Sequence, residues 1–241
     1  MKRTLVLLLV VLALSFESSA QGIVGDLLAG KLVNPKVGQW AWYDLAAGKG
    51  GKKFVVRQAI VGEEKVGRKK GYWVEFEIVP EVGFRAVYKM LLTGPASSPE
   101  NIIRVIEKNG PDPAVEIEVE HNAAAAEPPK EPERKLVATE KVNTLEGEVQ
   151  AEHFEVEQAG KKMHVWINEK VNPSGIVKLS SIDGEMTLRN HGEGGEFAAS
   201  VIKETPLTPQ QAAERRESAP STEQPEVQTH TGTGPEPKPE Q

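Results

Sequence analysis

Tyr72-Trp73-Val74-Glu75-Phe76-Glu77-Ile78 alternates apolar and polar side chains with a period of two. Tyr72, Val74, Phe76 and Ile78 share one face, and Glu75 and Glu77 point the other way. The next run, Phe84-Arg85-Ala86-Val87-Tyr88-Lys89-Met90-Leu91-Leu92, repeats the pattern, with Phe84, Ala86, Tyr88, Met90 and Leu92 opposite Arg85 and Lys89. Further on, Val115, Ile117 and Val119 alternate with Glu116, Glu118 and Glu120. A period of two is the mark of a half-buried strand. One dry and one wet face per strand is the antiparallel pattern.

Turn chemistry separates the runs at hairpin spacing. Gly48-Lys49-Gly50-Gly51, Gly67 to Gly71, Pro80 to Gly83, Gly110-Pro111-Asp112-Pro113, Ala159-Gly160-Lys161-Lys162, Asn172-Pro173-Ser174-Gly175 and Asp183-Gly184 are the punctuation. They divide the chain into roughly nine to eleven strands. Helix is scarce. Ile23 to Leu32 fits a short amphipathic helix interrupted by Gly25 and Gly30, and Ser97 to Glu107 fits a helix start or a strand equally well. The expected fold is mainly β: a strongly curved antiparallel sheet, half-barrel or open barrel, with one or two short helices.

Both ends of the chain read differently from the middle. Lys2 and Arg3 precede an unbroken apolar run from Leu5 to Leu14, and Ser18 and Ala20 place small side chains just before Gln21. This is a removable export signal over residues 1–20, too short to span a membrane. The mature chain is expected outside the cytoplasm, periplasmic or extracellular, with no membrane span. From Lys203 to Gln241 the composition turns to Pro, Glu, Gln, Thr and Ser, which reads as a disordered tail able to bury little surface. Within that tail, Thr208-Pro209-Gln210-Gln211 resembles a helix start. A second low-complexity stretch, residues 122–135, reads as a long surface loop inside a single domain of residues 21–202.

Composition excludes several classes of function. The chain has no cysteine, so disulfides, thiolate chemistry and a lipid-modified cysteine are all excluded. Asn172-Pro173-Ser174 carries proline in the forbidden position, so no N-glycosylation acceptor exists, which favours a bacterial envelope protein. The net charge is −6, and loss of Lys2, Arg3 and Glu17 with the signal makes it one unit more negative. Phosphate backbones call for clustered Lys and Arg, so nucleic acid is not an expected partner. The one basic cluster, Arg68-Lys69-Lys70, is a charged hairpin tip.

No catalytic motif stands out. The nucleophile elbow, the His-Glu-x-x-His helix, the phosphate loop and the dinucleotide fingerprint are all absent. Glu152-His153-Phe154-Glu155 puts His153 and Glu155 on one strand face, with His121 beside Glu120 as a distant ligand. Zinc wants three or four ligands, so this reads as an ordinary wet face, and no metal or other cofactor is expected. His191-Gly192-Glu193-Gly194-Gly195 reads as a flexible turn.

Aromatic side chains are the more informative set. Trp40 and Trp42 alternate with Tyr43, and Trp73 alternates with Tyr72 and Phe76, so aromatics occur on both faces of the sheet. Trp166 shares a face with His164 and Asn168, opposite Met163, Val165 and Ile167. Trp40, Trp42, Trp73 and Trp166 are therefore the candidate ligand-binding residues: one face forms the core, and the other is free to line an apolar site or be covered. For Trp166 the packed reading implies a loss of ~3–5 kcal/mol on truncation to Ala, and the cavity reading much less.

The run Val165-Trp166-Ile167-Asn168-Glu169-Lys170-Val171-Asn172-Pro173-Ser174-Gly175-Ile176-Val177-Lys178 resembles a signature of exported bacterial proteins of unassigned function, and Val37-Gly38-Gln39-Trp40-Ala41-Trp42-Tyr43 is similar to their opening strand. Both resemble the superfold of periplasmic lipoprotein carriers and outer-membrane lipoprotein receptors, a curved antiparallel sheet around short helices. The resemblance covers about Pro35 to Ser200 and carries over no functional residue. Export, β periodicity, aromatics on both faces and the missing catalytic motifs together point to a non-enzymatic binding or carrier protein of the envelope that holds an apolar small molecule in the concavity of the sheet or binds an envelope partner. The alternatives are an envelope scaffold that docks a protein through a sheet edge or the tail, and a hydrolase with a non-local active site.

Overall fold

The computed structural model describes residues 32–48, 51–119, 134–158 and 161–218. The expected export signal, the expected helix over residues 23–32 apart from Leu32, the expected loop as far as residue 133 and the expected tail beyond Ser218 lie outside the described residues.

Among the described residues the chain forms one open antiparallel sheet of eleven strands. They are β1 (Gln39–Ala47), β2 (Lys52–Val66), β3 (Lys69–Pro80), β4 (Ala86–Leu92), β5 (Ile102–Asn109), β6 (Val115–Ile117), β7 (Arg134–Thr144), β8 (Gly147–Gln158), β9 (Lys161–Ile167), β10 (Ile176–Ser181) and β11 (Gly184–Glu193). The spatial order is β6-β5-β4-β3-β2-β1-β11-β10-β9-β8-β7. The first six strands meander outward from β1 and the last five meander back, so that β11 pairs with β1. One α-helix, α1 (Pro209–Ser218), follows the sheet, and the Thr208 hydroxyl accepts from the Gln211 amide as its cap.

The expected alternation holds where it matters. Ala41, Tyr43, Leu45, Val56, Val74, Phe76, Ile78, Tyr88, Met90, Met163, Val165, Leu179, Met186 and Leu188 are buried in one continuous core. The sheet curls over this face. In the β1–β11 ladder His191 stands opposite Ala41, and its Nε2 lies 3.7 Å from Oε2 of Glu146 in the turn between β7 and β8. Three ladder steps separate β11 from β8, about 14 Å in a flat sheet. The core face is therefore the inner, concave one. The β9–β10 connection closes it further: Val171 is buried, and the Ser174 hydroxyl meets the Tyr43 hydroxyl at 3.0 Å. Burial pushes the Tyr43 phenol far above its ordinary range, so this pair stays neutral.

Several expectations need correction. Phe84, read as a core residue, lies before β4 in the turn and is exposed, because the strand begins only at Ala86. The ambiguous Ser97 to Glu107 stretch is a short 3-10 turn at Pro99–Asn101 followed by β5. Of the described part of the Val115 to Glu120 alternation, Val115 to Val119, only Val115–Ile117 is strand. His191 and Gly192 belong to β11 rather than to a flexible turn. Most consequential, Glu75 and Glu77 are not on a wet face: both are buried.

What buries them is the chain after β11. Residues 195–207 cross the outer face of the sheet as a strap, over β1, β2, β3, β4, β5 and β6 in turn. Phe197 packs edge-on to Trp40 and Trp42 of β1, Ile202 joins Val87 of β4 and Ile106 of β5, and Leu207 reaches β6. There the Glu116 amide donates to the Leu207 carbonyl and the Leu207 amide to the Ala114 carbonyl, both at 2.8 Å. The structure thus gives specific contacts to residues 203–207, in the segment that the composition assigns to the tail.

Candidate functional site

Two regions gather the polar and aromatic groups, one on each half of the sheet. The first is the floor beneath the strap. Arg57 on β2 is opposite Trp42 on one side and Glu77 on the other, which fixes it on the outer face. Its Nη2 donates to Oε1 of Glu75, and its Nε donates to Oε2 of Glu77 at 3.2 Å. Its Nη1 donates to two strap carbonyls, Phe197 at 2.6 Å and Ala199 at 3.2 Å. Glu75 in turn accepts from the Val201 amide at 2.8 Å and from the Ser200 hydroxyl at 2.6 Å. Arg57 is 2 % exposed and Glu75 is 0 % exposed, so strap and floor share one dry charge network. Arg85 completes it from the rim, donating to Glu77 at 2.9 Å.

Three of the four candidate tryptophans belong to this floor. The indole N–H of Trp40 donates to the Gly194 carbonyl at 2.9 Å, and its ring lies over Gly192, where a Cβ would come within 2.7 Å. Trp42 meets Phe197 at 5.8 Å between ring centroids. Trp73 supports the aliphatic end of the strap with Val87, Ile106, Ala114, Val201 and Ile202. Lys89 and Arg104 stand 5.4 and 5.2 Å from its ring centroid, and its N–H donates to Glu64 at 3.1 Å. Arg104 also grips Glu116 with two bonds of 2.7 and 2.9 Å, holding that carboxyl below the usual carboxylate range.

The second region is on β7, β8 and β9. Trp166 is directly opposite His153 and Lys178 in its two ladders. Its ring stacks on His153 with centroids 4.2 Å apart and 14° between planes, and Lys178 Nζ lies 5.2 Å from the ring centroid. The indole N–H donates to Glu140 of β7. Glu140 also lies 3.1 Å from Nδ1 of His153, whose Nε2 meets Nδ1 of His164 at 2.9 Å. Glu140, His153 and His164 thus form a relay across three adjacent strands. Sequence reasoning paired His153 with Glu155, and the structure pairs it with His164. Among the described residues no group of three or more His, Cys, Asp and Glu side chains is arranged to hold a metal ion.

The four tryptophans therefore form no common site. Trp166 is half-buried on the face opposite Met163 and Val165, as its alternation implies. Its loss removes one stack, one cation–π contact and the exposed bond to Glu140, so Trp166→Ala is expected to cost about 1–2 kcal/mol in urea melts, below a core tryptophan. Trp166→Phe, which keeps the ring and loses the donor, is expected to recover at least half of that. A loss above ~3 kcal/mol for the alanine variant would place the side chain in the core instead.

No protein-family model matches the chain, and no curated protein matches it. Six chains of known structure are similar to it, two of which illustrate the likeness. One is a candidate lipoprotein of Parabacteroides distasonis ATCC 8503, 10% identical with a TM-score of 0.35, covering 68% of this chain and 99% of that one. The other is a candidate exported protein with a YmcC-like fold from Bacteroides fragilis NCTC 9343, 9% identical with a TM-score of 0.34, covering 68% of this chain and 100% of that one. At these TM-scores nothing about the activity of this chain follows from either. Among the described residues no helix is long and apolar enough to cross a membrane.

Proposed function

We propose that this is a non-enzymatic extracytoplasmic interaction module that binds an extended segment of a protein partner by strand addition at β7. One observation carries the reading. β7 is an 11-residue edge strand, exposed along nearly its whole length, and β8 is its only ladder partner among the described residues. The other edge, β6, has three residues and is already covered by Leu207. An edge strand presents a row of unpaired N–H and C=O groups to an incoming chain. Leu136 and Val137, 54 % and 53 % exposed, add an apolar contact at its start. Arg134, Lys135, Glu140 and Lys141 keep the strand soluble and give it a charge pattern to read. Against the apolar-carrier reading, the inner face is occupied by the chain's own Tyr43, Phe76, Tyr88 and Met186.

A photo-crosslinking residue at Thr139 tests this in the producing cell. The expected result is one discrete protein adduct, lost when Leu136 and Val137 are both changed to Lys. Those exposed substitutions should alter stability by no more than about 0.5 kcal/mol each. No adduct at Thr139, together with lipid retained on gently purified protein in native mass spectrometry, would sink the edge reading in favour of the carrier.

A further inference from the structure

The strap is bound in the manner of a peptide ligand, and the surface beneath it has the properties of a peptide groove. Arg57 takes the carbonyls of Phe197 and Ala199, and Glu75 takes the Val201 amide. These bonds read backbone, so a different extended segment satisfies them equally well. Two pockets supply selectivity. Trp40 and Trp42 receive an aromatic side chain, and Trp73, Val87, Ile106 and Ala114 receive an aliphatic pair four and five residues later.

The floor also differs from the inner core in what happens when it is uncovered. Arg57, Glu75, Glu77, Arg85 and Lys89 make it a charged surface that water can solvate, whereas the inner face is almost wholly apolar. The first side chain of the strap to reach the floor is incompletely covered. Phe197 remains 37 % exposed despite its two tryptophan neighbours. The indole N–H of Trp42 is buried with no hydrogen-bond partner among the described residues. The tether is a glycine pair. Gly194 is fixed to β1 through the Gly38 carbonyl and the Trp40 indole, and Gly195, at φ 71°, turns the chain out of the sheet.

We propose that the outer face of β1–β5 is a binding groove for an extended peptide with an aromatic residue followed by a β-branched pair, filled in cis by residues 195–207. On exchange about Gly195 it is filled by the strap of a second copy of this chain. The second copy is the chosen occupant because its strap is a segment of known fit, and swapping an identical element keeps every contact of the monomer. This site is separate from the β7 edge and stands without it.

The test uses a fluorescein-labelled peptide of residues 195–207 and full-length protein. The cis strap competes at an effective concentration on the order of 1 mM, so wild-type protein is expected to bind the peptide weakly. A full-length Phe197→Ala/Ile202→Asp variant, with its own strap disabled, is expected to bind at least roughly tenfold tighter. Adding Arg57→Met should abolish that binding. A disabled-strap variant whose β2 and β3 amides exchange as slowly as in wild type, yet which takes up no peptide, would overturn the groove. Should that variant not fold, amide exchange of the wild type decides: Val201 exchanging well ahead of β2 and β3 supports an openable strap, and exchange in step with them refutes it. Native mass spectrometry of mixed heavy-isotope and unlabelled full chains at high concentration should show mixed dimers. Monomers alone would remove the second copy as occupant.

Discussion

Arg57→Met is expected to destabilise the protein by about 3–5 kcal/mol, because it leaves Glu75 buried without its counter-charge and Glu77 with only Arg85 at the rim. For a domain of this size that lowers the thermal midpoint by about 10 °C or more. The direction follows from burial. Glu75 has no exposed surface, and Arg57 supplies both its ion pair and two of the contacts that hold the strap. When one member of a dry ion network is removed, the cost is the desolvation of those that remain, several times larger than the net worth of the intact pair. A second variant separates these terms. Arg57→Met with Glu75→Leu and Glu77→Leu removes the whole network, and most of the lost stability is expected to return, as is common when a buried ion cluster gives way to packed apolar groups. The amides of Val201 and Ile202 should nonetheless exchange faster in the triple variant, since the strap has lost its polar anchors. Thermal melts and amide exchange read the two effects independently. A single variant within ~1 kcal/mol of wild type would mean that water reaches Glu75, and that the floor is open in solution.

Period-two patterning was enough to read the sheet, because each strand of the core presents one apolar face and its register is fixed by that face. Val74, Phe76 and Ile78 illustrate it: their burial follows from alternation alone. The same rule misplaced Glu75 and Glu77, since alternation says which side chains share a face and nothing about what covers that face. The cover lies more than 120 residues downstream, in the chain that follows β11. A signal was present. Phe197, Val201 and Ile202 are an apolar set just after a glycine-rich tether, and Arg57 is a lone basic residue in the mostly apolar middle of β2. Connecting them needs the β2–β3 register, which a hairpin bulge at Ile60–Gly62 shifts by one residue. Trp166 falls opposite Met163 and Val165 as its alternation implies, but its partner Glu140 stands two strands away on β7. A side-chain bond that reaches over an intervening strand has no local signature. The four tryptophans share the sheet face left over by the core, and the ladder order separates them into two halves of one sheet.

Truncation gives the second large effect, and the position of the cut decides it. Ending the chain at Ile202 is expected to cost about 2–3 kcal/mol, whereas ending it at Ser218 should leave stability within about 0.5 kcal/mol of the full chain. The longer deletion removes the two backbone bonds between Leu207 and β6, at roughly 1 kcal/mol each, and exposes the outer edge of a strand only three residues long. It also removes Ala212, which is buried, and Glu204, whose carboxyl Lys108 of β5 holds below its usual range. That exposed pair adds little, so Glu204→Gln alone should be near neutral. Leu207 is the discriminating position. Leu207→Ala keeps both backbone bonds and trims a half-buried side chain, so it is expected to cost no more than about 1 kcal/mol. Leu207→Pro removes the amide that binds the Ala114 carbonyl and should reproduce most of the effect of the longer truncation. Melting the two truncations and the two point variants side by side checks the whole series. If the chain ending at Ile202 melts within ~2 °C of the chain ending at Ser218, residues 203–218 contribute no stability and the strap stops at Ile202.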